Sequence, residues 1–518
     1  MDLKKIFTLK NIIFLTVLFL FLLLLRWNSF EMPFERDEGE YAYSAWILRQ
    51  GIMPYENSFL QKPPMIIYTY AFGQLFDKTG IVSPRVLATI FSFLAICLAG
   101  FVSKRYFGTK GLWVTVFILT PMIMIPVNAP FAANTEMFMI LPMYAALAVY
   151  SYKKDSKGYL PWLAVGVLSA VSFMYKQNSI VFLGMLILVW VYELYQDKVR
   201  PILLVRNILA LFLGFIVTIV VILLPFIFSG KLYYVWEAAF KYNQYYVALW
   251  GIGLGALKFR MLQMFKYVWF LLILSLYFIF KKSKQKKIFT LFFFSIFISI
   301  FQSWLGHYYI MLMPIWALII TQAIILLSEE RIVKKLIKHD QILWITVFTL
   351  LSLLYPVREQ FGKTPEELNL WIYGRLNPFI EAQIAGQKLA EMTDPSERVY
   401  VLGSEPEILF YAKRRSSSRF INLFPVILKT PIRSFYEQEA IASLRENPPS
   451  AIVIAKGFPS GLGIEQESIE LEKYVSDQLA KDYRILGGYV LGYSGGYWLN
   501  NITEDQIVNA SLLLYKRI

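Results

Sequence analysis

EMPFERDEGEYAYSAWILRQGIMPYENSFLQKPP, residues 31–64, is the stretch around which the remaining chain is read. It carries an acidic pair, Asp37 and Glu38, and ends in a lysine followed by two prolines, Lys62, Pro63 and Pro64. An apolar run precedes it and a series of further apolar runs follows. Polar residues are too dense here for lipid, so the stretch is expected to form a loop on one membrane face.

The totals agree with a membrane protein. Of 518 residues, 57% are hydrophobic, 17% aromatic and only 17% charged, against about 25% charged in soluble domains. The net charge of +15 does not imply nucleic acid. The basic residues sit in short clusters between apolar runs, as cytoplasmic loops do. The one cysteine, Cys97, excludes an internal disulfide and a cysteine metal cluster. Lys4, Lys5 and Lys10 followed by an apolar run from Ile12 to Leu25, with no small-residue cleavage site, read as a retained signal anchor.

A crossing needs about 20 mostly apolar residues. Eleven candidate spans are expected: 11–29, 85–103, 111–127, 135–152, 159–175, 179–195, 203–229, 262–280, 288–304, 308–327 and 341–356. Segment 64–77 is too short to cross and too apolar to be solvated, which suits an interfacial or re-entrant helix. With the N-terminus in the cytoplasm and the sides alternating, five basic clusters fall inside. They are Lys104/Arg105/Lys110, Lys153/Lys154/Lys157, Lys198/Arg200/Arg206, Lys281 to Lys287, and Arg331 to Lys338. One outer loop, 230–260, dissents, carrying Lys231, Lys241, Lys258 and Arg260 against Glu237. Either it is long enough to escape the rule, or its charge serves an anionic ligand.

The same parity places Asp37, Glu38, Lys62, Asn134, Glu136, Lys176, Gln177, Asn178 and His307 at the outer boundary. Polar groups near membrane depth are costly and tend to be functional. The expected domains are therefore 1–356, transmembrane and catalytic, with its first outer loop at 31–84, and 357–518, a soluble α/β domain outside the cytoplasm. In the latter, ERVYVLG (397–403) and AIVIAKG (451–457) read as strands ending in glycine, and SEPEILFYAKRR (404–415) as a helix capped by Ser404. LGGYVLGYSGGYWLN and SLLLYKRI supply closing strands. The sequons at Asn501 and Asn509 carry meaning only in a eukaryotic cell.

Each polar residue has a plain reading beside the chemical one. Asp37 as N-cap with Glu40 three positions later forms a capping box, and Tyr41, Ala45 and Leu48 form one buried stripe. Asp37 is equally placed to act as base for an incoming hydroxyl. Glu38 points about 100° away on the helix and is the weaker candidate. Pro63 forces Lys62 extended, and Pro64 suits the first position of the helix 64–77. Lys62 then stands beside a helix N-terminus, a seat for a phosphate, or else it snorkels at the interface. Lys176-Gln177-Asn178 is a solvated turn or a second cation for a phosphate, and His307 is interfacial or ligand-binding. Asn134 and Glu136 either cap the span they begin or bind sugar. No residues have metal-ligand spacing, and no P-loop, GxGxxG or nucleophile elbow occurs. The reading names no certain cofactor, and it leaves room for a divalent metal without indicating one.

In order, these residues resemble a known family. RDEGEYAYSAWILRQGIMPYENSFLQKPPMIIY resembles the first extracytoplasmic loop of the GT-C glycosyltransferases of the protein O-mannosyltransferase and aminoarabinose transferase type, glycosyltransferase families 39 and 83. The likeness continues through ANTEMFMILP (133–142), FMYKQNSIVFL (173–183) and GHYYIMLMP (306–314). The resemblance implies a polytopic α-helical fold and a polyprenyl-phosphate sugar donor. It further implies inverting transfer to a glycan, lipid or protein hydroxyl outside the cytoplasm, in the plasma membrane of a prokaryote. On it Asp37, with Glu38 beside it, matches the activating acid, and Lys62 matches the lysine that contacts the donor phosphate. Lys176 and His307 are further phosphate-side candidates, and Glu136, Asn134, Tyr308 and Gln61 substrate-side ones. Two departures leave the sugar open: Gln61 stands where aminoarabinose transferases have glutamate before KPP, and Asn134-Thr135-Glu136 where they have an aspartate.

Two other classes compete. A transporter or lipid flippase would carry charges near span centres and broken, paired helices; here the charges gather at one boundary. A non-catalytic scaffold presenting its outer domain leaves the acidic pair and KPP unexplained.

Overall fold

The computed structural model describes residues 9–154, 156, 158–196, 201–250, 254–283, 285–301, 303, 305–457, 460–461, 469–492 and 495–518. Lys4, Lys5, Lys157, Lys198, Arg200 and Lys284, and the side chains of Lys10 and Arg260, lie outside the described residues.

Every expected span falls on a helix. Leu9–Arg26, Thr135–Lys153, Leu160–Phe173, Ile180–Gln196, Pro201–Phe228, Leu254–Phe280, Lys286–Ile300, Met313–Ser328 and Gln341–Val357 correspond one to one. Segments 85–103 and 111–127 merge into a single helical stretch, Val82–Ile123, broken at Gly108, whose φ of 71° only glycine adopts without strain. Among the described residues, seven stretches are long and apolar enough to cross a membrane unaided. Leu160–Phe173 and Lys286–Ile300 have 14 and 15 residues, short of the usual requirement. The helix expected over 64–77 covers only Met65–Gly73, with Pro64 as its N-cap rather than its first residue.

Packing divides the chain into two compact units. The first holds residues 1–30, 85–222 and 252–363. Burial ranks its helices: Gly306–Ser328 is mostly buried and Leu204–Phe228 mostly exposed, so the former is central and the latter peripheral. Helices approach closely where glycine allows it, as apolar surface alone does not drive association in lipid. A Cβ on Gly166 would lie 2.0 Å from the Leu211 carbonyl oxygen, and one on Gly214 2.4 Å from that of Leu163. Hydroxyls fasten the interior: Thr115 to Thr321 at 2.7 Å, and Tyr144 Oη donating to the Met311 carbonyl at 3.1 Å. Four basic clusters share one end of this unit. Arg105 donates to the Ser151 carbonyl, Lys154 pairs with Glu193, Phe289 stacks edge-on against Tyr106, and Lys281 pairs with Glu330.

The second unit holds residues 31–84, 223–251 and 364–518. Its six described strands are β1 (Arg398–Leu402), β2 (Arg415–Ser416), β3 (Ala451–Ala455), β4 (Tyr483–Gly492), β5 (Gly495–Asn500) and β6 (Ala510–Arg517), ordered β2-β1-β3-β6-β4-β5. β1 runs parallel to β2 and β3, as helical crossovers require, and the other pairs are antiparallel. β1 and β3 are apolar and buried along almost their whole length, as strands covered on both faces are. Helix Glu407–Ala412 begins two residues later than a Ser404 cap would set it. Its N-cap is Pro406, and Ser404 instead accepts a hydrogen bond from the Leu423 N–H.

The first loop is an integral part of this unit. Arg419 donates bidentately to Glu439 at 2.6 and 2.9 Å and to Glu237 at 2.9 Å, while its own carbonyl accepts from Phe59 N–H. Phe59, Phe420 and Tyr436 surround the guanidinium. Glu237 opens a π-helical turn, Glu237–Lys241, and is buried. Arg419→Ala strands that carboxylate, so thermal unfolding of the purified protein is expected to show a loss of about 3–5 kcal/mol. Arg419→Lys, which keeps charge without the fork, recovers only part of it. An unchanged melting curve for Arg419→Ala would show that Arg419 carries no such weight. Part of the basic excess in loop 230–260 is also spent here: Lys231 pairs with Glu56, and Lys241 lies against Trp236.

Candidate functional site

Helix Arg36–Arg49 starts two residues before the expected point. Glu35 is the N-cap, accepting from the N–H groups of Asp37 and Glu38 at 3.2 and 3.3 Å, and Glu38 returns a bond to the Glu35 N–H. The capping box is therefore Glu35 with Glu38, not Asp37 with Glu40. Glutamate serves as cap because its longer carboxylate reaches both free N–H groups from outside the helix. Glu38 is thereby committed to the helix start and fully buried, whereas Asp37, in the first turn, is only half-buried. The expected stripe is not one-sided either: Tyr41 to Ala45 are all buried, because the helix is enclosed.

Gly39 sets this enclosure. A Cβ there would lie 2.6 Å from the Glu407 backbone nitrogen and 2.8 Å from its Cα, so the two helices touch backbone to backbone. Gly39→Ala is expected to lower stability by about 1–3 kcal/mol by forcing them apart. Chemical denaturation measures it, and a neutral outcome would mean that the contact yields freely. Nearby, Arg36 donates to the Ser404 carbonyl and to Glu405 Oε1 at 2.9 Å. Burial pushes the Glu407 carboxyl well above the usual carboxylate range, aided by the charge of Glu405.

Lys62 is half-buried and held through its backbone. Tyr55, fully buried and left-handed at φ 66°, donates its hydroxyl to the Lys62 carbonyl at 2.7 Å. Asn243 Nδ2 donates to the Gln61 carbonyl at 2.7 Å. Gln61 is thus held through its main chain. Backbone strain at Tyr55 persists only where surroundings enforce it, a habit of functional loops.

Asp37 and Lys62 are 25 residues apart in sequence, yet both act on one carboxylate. Glu40 lies three residues past Asp37, on the same side of the helix. Burial first and the charge of Asp37 second push its carboxyl up to about 8, against opposing pulls from Lys62, the Asn422 hydrogen bond and Arg36. The sequence offered Glu40 only as a capping partner. Its signal as a site residue was its spacing from Asp37, and Asn422, 382 positions on, had no local signal at all.

The remaining expected residues belong to the first unit and form their own group. Lys176 is buried, pairs with Glu136, and lies 3.2 Å from the centre of the Tyr308 ring. It is therefore not the solvated turn that its neighbours suggest. His307 is buried beside Tyr308, with ring centres 5.1 Å apart. Asn134 occupies the N-cap position of Thr135–Lys153 without capping it, and both its amide atoms are buried with no partner. No group of three or more His, Cys, Asp or Glu among the described residues is arranged to hold a metal ion.

The sequence matches no protein-family model, and no curated protein matches it. Solved structures do. ArnT from Cupriavidus metallidurans bound to undecaprenyl phosphate aligns over 95% of this chain and 97% of its own, at 15% identity and a TM-score of 0.58. Its apo form aligns over 94% and 98%, at 17% identity and a TM-score of 0.56. The oligosaccharyltransferase AglB from Archaeoglobus fulgidus, in complex with an inhibitory peptide and a dolichol-phosphate, aligns over 95% of this chain and 74% of its own, at 10% identity and a TM-score of 0.51. The fold is that of the GT-C glycosyltransferases: a multi-pass helical membrane protein with a small C-terminal α/β region.

Proposed function

We propose that this chain is an inverting glycosyltransferase that moves a sugar from a polyprenyl-phosphate donor to a hydroxyl of a glycan, lipid or protein outside the cytoplasm. The observation that carries the reading is that the loop bearing Asp37 and Lys62 folds into one compact unit, in a fold shared with proteins solved bound to undecaprenyl phosphate and to a dolichol-phosphate. A carboxylate and an ammonium group in one place are what this transfer requires. Asp37 takes the proton of the acceptor hydroxyl as its oxygen attacks the anomeric carbon from the face opposite the phosphate. The bond from that carbon to the phosphate oxygen breaks, its electron pair stays on oxygen, and polyprenyl phosphate departs. Lys62 stabilises the charge that grows on the departing phosphate. Shared fold with proteins solved bound to undecaprenyl phosphate and to a dolichol-phosphate supports the donor class.

Lys176 and His307 are read as further phosphate-side groups, and Asn134, Glu136 and Tyr308 as substrate-side groups. Eleven crossings with the N-terminus in the cytoplasm put the C-terminal domain outside. The gathering of basic clusters at one end of the first unit favours that orientation. Incubating purified protein with labelled polyprenyl-phosphate sugars and cell-envelope extract tests the reading. A new labelled glycoside, identified by mass spectrometry, supports it and names the acceptor. Passage of the labelled lipid across vesicles without any new glycosidic bond overturns it in favour of a flippase.

A further inference from the structure

We propose that a cavity of the C-terminal domain, lined by Arg445 and Arg517, binds an acidic sugar of the acceptor glycan, its carboxylate or phosphate meeting the two guanidinium groups. The inference rests on the transfer reading above and names an acceptor class for it.

The cavity has a volume of about 160 Å³ and lies where helices Arg433–Glu446 and Glu470–Asp482 meet the β4–β6 pair. Its floor is apolar, with Leu444 and Val475 buried. Strand register assembles one side of the rim. Tyr483 on β4 stands directly opposite Arg517 on β6, and such cross-strand neighbours lie about 4.5–5.5 Å apart at Cβ. Helix periodicity assembles the other side. Tyr474 and Gln478, one turn apart, share a face of their helix, and the Arg445 guanidinium lies 5.3 Å from the centre of the Tyr474 ring. Glu437 ties the two helices together, its Oε1 accepting from the Leu471 N–H at 3.0 Å.

Charge selects the occupant. Among the described residues no carboxylate lines the cavity and neither arginine is in an ion pair. Like charges around one concavity repel until an anion enters, and a guanidinium fork matches the oxygens of carboxylate and phosphate. Arg445 alone is explained as a cation at a helix C-terminus; Arg517, on a strand, has no such partner. Both are exposed, so a ligand reaches them from solvent. The neutral groups favour a sugar over a bare anion. Tyr483 Oη already donates to the Pro449 carbonyl at 2.5 Å, so it meets a ligand only by accepting from that ligand's hydroxyls. Tyr474 offers a flat apolar ring beside them. At about 30 Å³ per water the volume is that of about five waters, room for one ring with its substituent but not for a chain. The same helix carries Tyr436, whose ring packs edge-on against Phe59 of the loop at 5.4 Å. Arg445 follows about 13 Å further along that helix, within the span of a short glycan.

Saturation-transfer NMR on the full-length protein, purified in a detergent without a sugar headgroup, tests this with glucuronate, glucose 6-phosphate and glucose as probes. At least one acidic sugar should bind, and glucose should bind at least tenfold more weakly. Arg445→Ala and Arg517→Ala should each lower the acidic sugar's affinity roughly 10- to 100-fold. Arg445→Ala is the gentler variant, because its side chain is exposed at a helix end and its loss leaves the strand pair intact. Equal binding of glucose and the acidic sugars, or affinity indifferent to both arginines, overturns the inference. So does inorganic phosphate that displaces the sugar at equal concentration, since the cavity would then seat a free anion. Arginine-dependent binding of dihexanoyl phosphatidylglycerol in preference to either sugar overturns it in favour of a lipid headgroup. Transfer of label with no acidic sugar bound overturns this inference alone. An acidic sugar held by the arginines, with no transfer from the labelled donor, leaves the cavity assigned and overturns the functional reading instead.

Discussion

Asp37→Asn is expected to cut sugar transfer by roughly 10²- to 10⁴-fold, the usual contribution of a positioned base, with donor KM nearly unchanged. The substitution is unusually clean. Because Glu35 rather than Asp37 caps the helix, removing the charge leaves the capping box in place. The favourable placement of an anion in the first helical turn is lost, about 0.3–1 kcal/mol. Melting curves should therefore nearly superimpose while turnover collapses, measured as labelled product per minute under donor saturation. Full turnover by Asp37→Asn would leave Asp37 as no more than a partner of the helix dipole. The proton would then need another acceptor. Glu38 is the weaker choice, since its carboxylate already binds the Glu35 N–H.

Lys62→Ala should act on the donor instead. A hydrogen bond to a charged group contributes about 1.5–3 kcal/mol, so kcat/KM for the polyprenyl-phosphate sugar is expected to fall on the order of 10- to 100-fold. The loop should survive, because Tyr55 and Asn243 hold the main chain at residues 61 and 62 and not the lysine side chain. Lys62→Arg should recover part of the loss, since a guanidinium also binds phosphate but from a longer reach. Binding of polyprenyl phosphate alone, followed by native mass spectrometry, separates contact from chemistry. Donor kinetics identical to wild type in Lys62→Ala would remove the lysine from the phosphate site.

Much of the architecture was legible because lipid imposes a simple demand. A chain crossing hydrocarbon must satisfy its backbone internally, so runs such as 203–229 and 341–356 are helices on hydropathy alone. Strands β1, β3, β4, β5 and β6 were equally plain, since apolar runs ending in glycine or turn residues have few other folds. Short-range detail was less legible. Glu35, Asp37 and Glu38 all lie within four positions, each a chemically competent start for the helix, and only the folded backbone shows that Glu35 caps it. Ser404 misled for the same reason, because its hydroxyl was taken by Leu423.

The sequence by itself determined a helical chain with spans apolar enough for a membrane, a polar loop carrying Asp37 and Lys62, and a C-terminal α/β segment, since these follow from local composition and period. Only the tertiary structure decided that the loop and that segment form one unit, that Lys176 is already paired with Glu136, and that Asn422 reaches Glu40. The physical reason is range. Hydropathy and capping act within a few residues, whereas burial and Coulomb interaction act through space. A carboxylate's proton is set by whichever charges the folded chain brings beside it.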